Sequence, residues 1–515
     1  MSSVALPRSS NQALGIGQFA VDFVRGRLGG EPGDVVRERT ILFHADAVLC
    51  GLSALALQTN APTLLRAEAL TYPDTPGATV FGASSRVKAE KAVVANSAAV
   101  REWDSNGTNF GFRPEKGAVA GEFGHNDFYP VVVAGCQERG LGGRDALMGM
   151  ILLDEIRGRL AEVFSLKTYK IDHVVHGAIG SAAAYGALCG ATPEQIESAI
   201  GMFVAHYIPW RAIRAGKQLS DSKGASAAIS AEAAVLSMKR AMAGFLGPRD
   251  IFRNPESMFR QFVRTEGDSA FDLELSYSGD DFAVMGMHFK LGLYEHQSAG
   301  ALQGVIDIVS NHPEVLDPGA IDEIVITAYE PAFGIIGDLA KRDPHTRQSA
   351  DHSMVYIVAT LLRKALRSRM EGSFALDSSP SHDGVWKRLM LAPEDYSQAA
   401  IFDPETRAIM ERIRFEHGGP EYDAKYPDGI PTRVVIRTSR GRTYDSGLVM
   451  YPAGHARNTS ADLRSILTHK FQVLGSLALT DPVPFIDRLM SLEQLSPAEL
   501  AELTNLPIVT REPID

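Results

Sequence analysis

Between residues 101 and 130 the chain reads REWDSNGTNFGFRPEKGAVAGEFGHNDFYP, which sets Asp104, Asn106, Thr108, Glu122, His125 and Asp127 among five glycines. Hydrogen-bonding side chains crowded into a loop between two helix signals make a candidate site, because scaffolds carry their chemistry on such loops. A solvated connection, with Asn106 turning the chain and Asp127 near a helix start, accounts for the same residues equally well. Asp172-His173 opens a Gly/Ala-rich stretch, where a lone histidine is more often structural than catalytic. Arg211, Arg214, Lys217 and Lys223 face only Asp221, a net charge of +3 over 13 residues. Such a run is by default a solvated face, yet cations near a helix N-terminus also hold carboxylates. A fourth segment, FKLGLYEHQ from Phe289 to Gln297, falls where the hydropathy pattern changes character, and clefts concentrate at such junctions.

Other chemistries lack their motifs. The sequence contains no G-x-x-x-x-G-K-[ST], H-E-x-x-H or G-x-S-x-G, so phosphate-loop, zinc-protease and α/β-hydrolase readings have no support. Cys50, Cys136 and Cys189 lie 86 and 53 residues apart, without a C-x-x-C pair to begin a metal site. Acid–base chemistry on a small anion, without a metal or cofactor, remains.

The elements that must hold these residues are mostly helical. Residues 144–163 place Leu147, Ile151, Leu152 and Ile156 on one face, the spacing of an amphipathic helix. Similar patterns occupy about 11–27, 36–58, 88–101, 126–138, 174–189 and 223–243. Thr192-Pro193-Glu194-Gln195 has the form of a capping box with proline at the first helical position, and Gly190 suits a left-handed C-cap, so 174–206 reads as a helical hairpin. After about residue 283 the pattern changes. IDEIVITAY (321–329) and RVVIRT (433–438) alternate like strands, the second entering a hairpin that ends near Tyr451. Helices follow at about 297–310 and 349–369, a loop-rich stretch at 371–430, and further helices at 460–478 and from Ser496. The expected architecture is mainly α: a large all-helical domain over 1–283, an inserted smaller α+β lid domain over 284–450, and helices over 451–515 that return to the first domain.

Length and charge bound the partners. The chain has 515 residues and a formal charge of −11, so it is long enough for more than one domain. Without a concentrated basic tract it is expected to bind neither nucleic acid nor an anionic membrane. The N-terminus lacks the pattern of a secretory signal, and the apolar stretch from Val174 to Ala191 falls short of the roughly 20 residues of a membrane span. A soluble protein of a reducing, intracellular compartment is the expectation.

Taken in order, six segments resemble one family: VREWDSNGTN with EFGHND, Ile171-Asp172-His173-Val174-Val175, Ser222-Lys223-Gly224, FKLGLYEHQSAGA (289–301), and Ser349-Ala350-Asp351-His352-Ser353-Met354-Val355-Tyr356. Together they resemble the MmgE/PrpD family over about residues 15–480, and the 289–301 stretch is similar to its methylcitrate dehydratase branch. The resemblance implies a helical domain with an inserted α+β lid, a cytoplasmic homodimer, no metal or other cofactor, and a small tricarboxylate as substrate. It implies loss of water from 2-methylcitrate to give 2-methyl-cis-aconitate, a step of propionate catabolism through the methylcitrate cycle. Decarboxylation of cis-aconitate and epimerisation of a substituted succinate are sibling chemistries, and a helical binding or scaffold protein is the non-enzymatic alternative. Matched residue by residue, the implied catalytic groups are Asp104, His125, His173 and Tyr356. The implied substrate-binding groups are Thr108, Lys223 (with Lys217 as the neighbouring alternative) and Lys290, and Arg214 of the 211–223 cationic run is expected to join them on a carboxylate. Many relatives read Asn-Asp-Thr where this chain has Asn106-Gly107-Thr108, and His-Pro where it has His125-Asn126.

Overall fold

The computed structural model describes residues 2–109, 111–117, 121–122, 126–214, 219–372 and 381–514. Its helices follow the apolar periodicity. Gly143–Val163, Val174–Cys189 and Ser226–Met242 pack in sequence on one another, and the Gly/Ala-rich middle helix is buried along its whole length. Small side chains there let neighbouring backbones approach, so that helix is buried on every side rather than on the single face expected of an amphipathic 174–189. The hairpin at 190 is built as the residues require: Gly190 takes φ +86°, and Thr192 and Gln195 exchange side-chain-to-backbone bonds of 3.3 and 2.9 Å. Ser496 and Glu499 close a second capping box at the start of Pro497–Asn505.

Among the described residues, eight strands complete the fold: β1 Ser3–Leu6, β2 Pro73–Thr79, β3 Arg86–Val87, β4 Leu273–Ser276, β5 Ile321–Ala328, β6 Ile413–His417, β7 Thr432–Thr438 and β8 Thr443–Asp445. β1 pairs antiparallel with β4, and β2 with β3. The first 283 residues are therefore not all-helical, a correction to the sequence reading. Strands of two to seven residues in two-stranded ladders leave too short a pattern to register against long helices. The larger sheet has the order β6-β5-β7-β8, with β5 parallel to β6 and antiparallel to β7.

β6 lies inside the stretch read as loop-rich, as do the helices His382–Leu389 and Pro404–Met410. Only Ile413 of β6 is buried, because it is an edge strand, so it carries no alternation to detect. The β7–β8 hairpin ends at Asp445 rather than near Tyr451; beyond it a single bridge joins Thr432 and Val449. The helix Leu463–Ala478 packs against Asp34–Ala56, bringing the C-terminal part onto the first helices. Asp34–Ala56 is long and apolar enough to cross a membrane, yet 83% of its most apolar window is buried within the protein. Cys50, Cys136 and Cys189 are free and buried.

Candidate active site

The helix Ala89–Arg101 ends at the polar loop, and backbone pairing stitches that loop to the distant 288–295 segment. Thr108 and His288 exchange both main-chain hydrogen bonds, at 3.1 and 2.7 Å, and the Tyr294 N–H donates to the Asp104 carbonyl at 2.9 Å. The Ser105 hydroxyl donates to the Gly292 carbonyl at 2.9 Å. Gly107 fits because a Cβ there would come within 2.4 Å of the Phe43 ring. Its N–H donates to Asn126 Oδ1 at 2.8 Å, so Asn126 fixes the loop from the side. Gly107 and Asn126 thus serve one packing arrangement.

A buried strut supports the same loop from below. The Lys470 ammonium donates to the carbonyls of Ser105 at 2.6 Å and Lys290 at 2.9 Å, and pairs with Asp46 at 2.5 Å. Lys470 is 1% exposed and Asp46 0%. The helix Leu463–Ala478 therefore holds the two segments that carry Asp104 and Lys290.

Above the strut lies a cavity of about 100 Å³ in which Asp104, 2% exposed, is the hub. Its carboxylate meets His352 Nε2 at 2.8 Å, Lys223 Nζ at 3.2 Å, Arg101 Nη2 at 3.5 Å and Lys290 Nζ in a short ion pair. The other His352 ring nitrogen faces Asp351. Glu102 pairs with Arg347, whose guanidinium lies over the Trp103 ring at 4.9 Å, and this ties the loop to the segment preceding His352. Among the described residues, seven cationic side chains line the cavity (Arg101, Lys167, Arg211, Arg214, Lys223, Lys290, Lys341) against three carboxylates, Asp104, Glu122 and Glu295. The formal excess is four positive charges, in a chain whose total is −11.

These charges set the titrations. Burial alone would raise the pKa of Asp104, but Arg101, Lys223, Lys290 and His352 together hold it well below the usual carboxylate range. Burial, helped by Arg101, pulls Lys223 down to about 8 against the attraction of Asp104 and Asp351. Glu295 is raised by burial. Burial also lowers His173 to about 4, with Asp172 and Glu122 opposing, so its imidazole is neutral at physiological pH.

Asp104, Thr108, Arg214, Lys223 and Lys290 all line the cavity. His173 lies behind it, 3.5 Å from Asp172, which pairs with Arg214. His125 and Lys217 lie outside the described residues. Tyr356 does not line the cavity: its hydroxyl donates to the Asp395 carbonyl at 2.5 Å and its side chain is buried in the core. Ser353 caps the helix Met354–Met370, which turns Tyr356 in the first turn toward the core. The cavity position goes to His352, just before the cap. Sequence reading passed over His352, Arg101, Glu295 and Lys341 as site residues; the Asp351-His352 step ahead of a capping serine was the available signal.

Asp104, Asp351 and His352 offer ligand atoms within 4.8 Å of one another, a spacing a metal ion can bridge. The ammonium groups of Lys223 and Lys290 already face the same Asp104 carboxylate, so a divalent cation would enter against two positive charges.

Residues 22–269 match the family model described as MmgE/PrpD N-terminal domain, and residues 387–481 match MmgE/PrpD C-terminal domain, together more than half of the chain. The chain is 24% identical over 338 residues to a 2-methylcitrate dehydratase of Escherichia coli O157:H7, covering 64% of this chain and 63% of that protein. It is 23% identical over 326 residues to the alkylcitrate dehydratase phiI of Fungal sp. (strain ATCC 74256), covering 62% of this chain and 58% of that one. The chain thus spans less than two thirds of the length of either curated relative.

Proposed function

The chain belongs to the MmgE/PrpD family, and from that premise we propose that it dehydrates 2-methylcitrate to 2-methyl-cis-aconitate, within propionate catabolism by the methylcitrate cycle. One observation carries the reading: a small buried cavity with an excess of four positive charges fits a trianion. The matched relatives, named 2-methylcitrate and alkylcitrate dehydratases, narrow it to a citrate-type acid.

In the proposed reaction a proton leaves the methyl-bearing carbon beside a carboxylate. Its bonding pair becomes the double bond, and hydroxide leaves the neighbouring carbon. Lys223 and Lys290 clamp carboxylates and stabilise the charge that builds as the carbon proton departs. His352 faces carboxylates from both ring nitrogens, Asp104 and Asp351. It lines the cavity beside Lys223, so we assign it the proton delivered to the leaving hydroxide. Asp104 is too strongly stabilised as an anion to be a good base, and it orients His352 and the two lysines. For the carbon proton we assign His173, neutral and set behind the wall that Arg214 and Glu122 line. A substrate carboxylate competing with Asp172 for Arg214 would open its approach.

The same reading takes the α+β segment 284–450 as a lid, the protein as a cytoplasmic homodimer, and the reaction as independent of metals and cofactors; the family resemblance supports each. The experiment is 2-methylcitrate turnover, followed by ultraviolet absorbance of the new conjugated alkene, with and without chelator. Activity that survives chelation is expected. No turnover of 2-methylcitrate or citrate would overturn the dehydratase reading, and loss on chelation alone would overturn metal independence.

A further inference from the structure

The cavity described above has one wall unlike the rest. Among its described lining residues only Leu219, Ile335 and Ile336 are apolar, and the last two are adjacent on one wide turn, Ala332–Ile336, which follows β5 and packs against His296–Ser298. Ile336 is 2% exposed and Ile335 38%, so the pair runs from the buried interior of the cavity to its mouth. Past the turn, Lys341 returns a positive charge to the cavity. The turn thus presents an apolar step flanked by cations.

A 2-alkylcitrate divides in the same way. Three carboxylates and a hydroxyl need charged and hydrogen-bonding partners, and the alkyl branch is the one part that gains from an apolar surface. A branch laid against Lys223 or Lys290 would desolvate an ammonium without replacing its hydration, whereas a branch against the isoleucines costs no polar contact. Building on the dehydratase reading, we propose that Ile335 and Ile336 form the subsite for the 2-alkyl branch and that the side chain at 335 sets the branch length accepted. Ile335 is the length-setting member because it stands at the mouth, where a longer branch must pass.

The test compares kcat/KM for citrate, 2-methylcitrate, 2-ethylcitrate and 2-propylcitrate in the wild-type protein, Ile335→Ala, Ile335→Phe and Leu339→Ala. Ile335 is partly exposed and Leu339 is 76% exposed, so these variants are expected to fold, which melting temperatures check. One methylene in an apolar pocket changes kcat/KM by about 10–200-fold. Ile335→Ala should raise the propyl-to-methyl ratio by about tenfold or more, Ile335→Phe should lower it by a similar factor, and Leu339→Ala should leave it within about threefold. Turnover in every variant with an unchanged ratio would overturn the subsite while leaving the dehydratase reading standing. A wild-type protein that turns over none of the four acids would overturn both.

Discussion

The strut beneath the site offers the most direct test of how the fold holds its chemistry. Lys470→Met keeps the length of the side chain and removes its charge, leaving Asp46 buried without its ion-pair partner and the carbonyls of Ser105 and Lys290 without their donor. Asp46 is already raised by burial despite Lys470, so the carboxylate is costly to keep charged. Removing one member of a buried pair costs about 3–5 kcal/mol. Unfolding entropy of about 2.1 cal/mol/K per residue gives about 1.1 kcal/mol/K for a chain of this length, so the melting temperature should fall by about 3–5 °C. Asp46→Asn should cost a similar amount by leaving the ammonium without a counter-charge, with the two carbonyls still accepting from it. The double variant should lose less than the two single losses together, since it leaves no unpaired charge. Calorimetry reads the stability, and the dehydration assay reads the site, where kcat should fall because Asp104 and Lys290 lose their common support. A Lys470→Met protein melting within about 1 °C of wild type, with unchanged kcat, would refute the argument that this pair braces the two loops.

Three further expectations concern the cavity. Lys223 titrates near 8, so its neutral form grows as pH rises through that value, and KM for the tricarboxylate should climb there; Lys223→Arg, which stays charged, should move the climb to higher pH, and a flat KM between about 7 and 9 would remove Lys223 from the clamp. Asp104→Asn takes one negative charge from the hub, so substrate should bind more tightly while turnover drops by about 10²–10⁴-fold. A kcat and KM that both stay at wild-type values would deny Asp104 its role. His173→Ala should lower kcat by about the same factor with the fold intact, and an unchanged rate in a protein with wild-type melting would assign the carbon proton to another group.

Long helices were legible from the chain because their apolar faces repeat over several turns, as in 144–163, and because local chemistry marks their ends, as at Thr192 and Ser496. The polar loop, the 211–223 cations and Lys290 were legible as types in context. Tyr356 was not resolved by its motif, since whether a residue near a helix start faces a cavity or the core depends on the side the helix packs, and here Ser353 and the core decide it in favour of His352. The short strands and β6 were hidden for a related reason: a two-stranded ladder or an edge strand takes its stability from partners far along the chain and needs little pattern of its own.

The sequence by itself determined the mainly helical character, the acidic total, and the inventory of acids, bases and cations. Only the tertiary structure decided that Asp104 would stand among Arg101, Lys223, Lys290 and His352, that an acidic protein would enclose a positive cavity, and that Lys470 would brace it. The reason is the range of the interactions. Helix periodicity and capping act within a few residues and are written locally, whereas ion pairing and desolvation depend on distances and burial that exist only once segments as remote as 46, 104, 290 and 470 have been packed together.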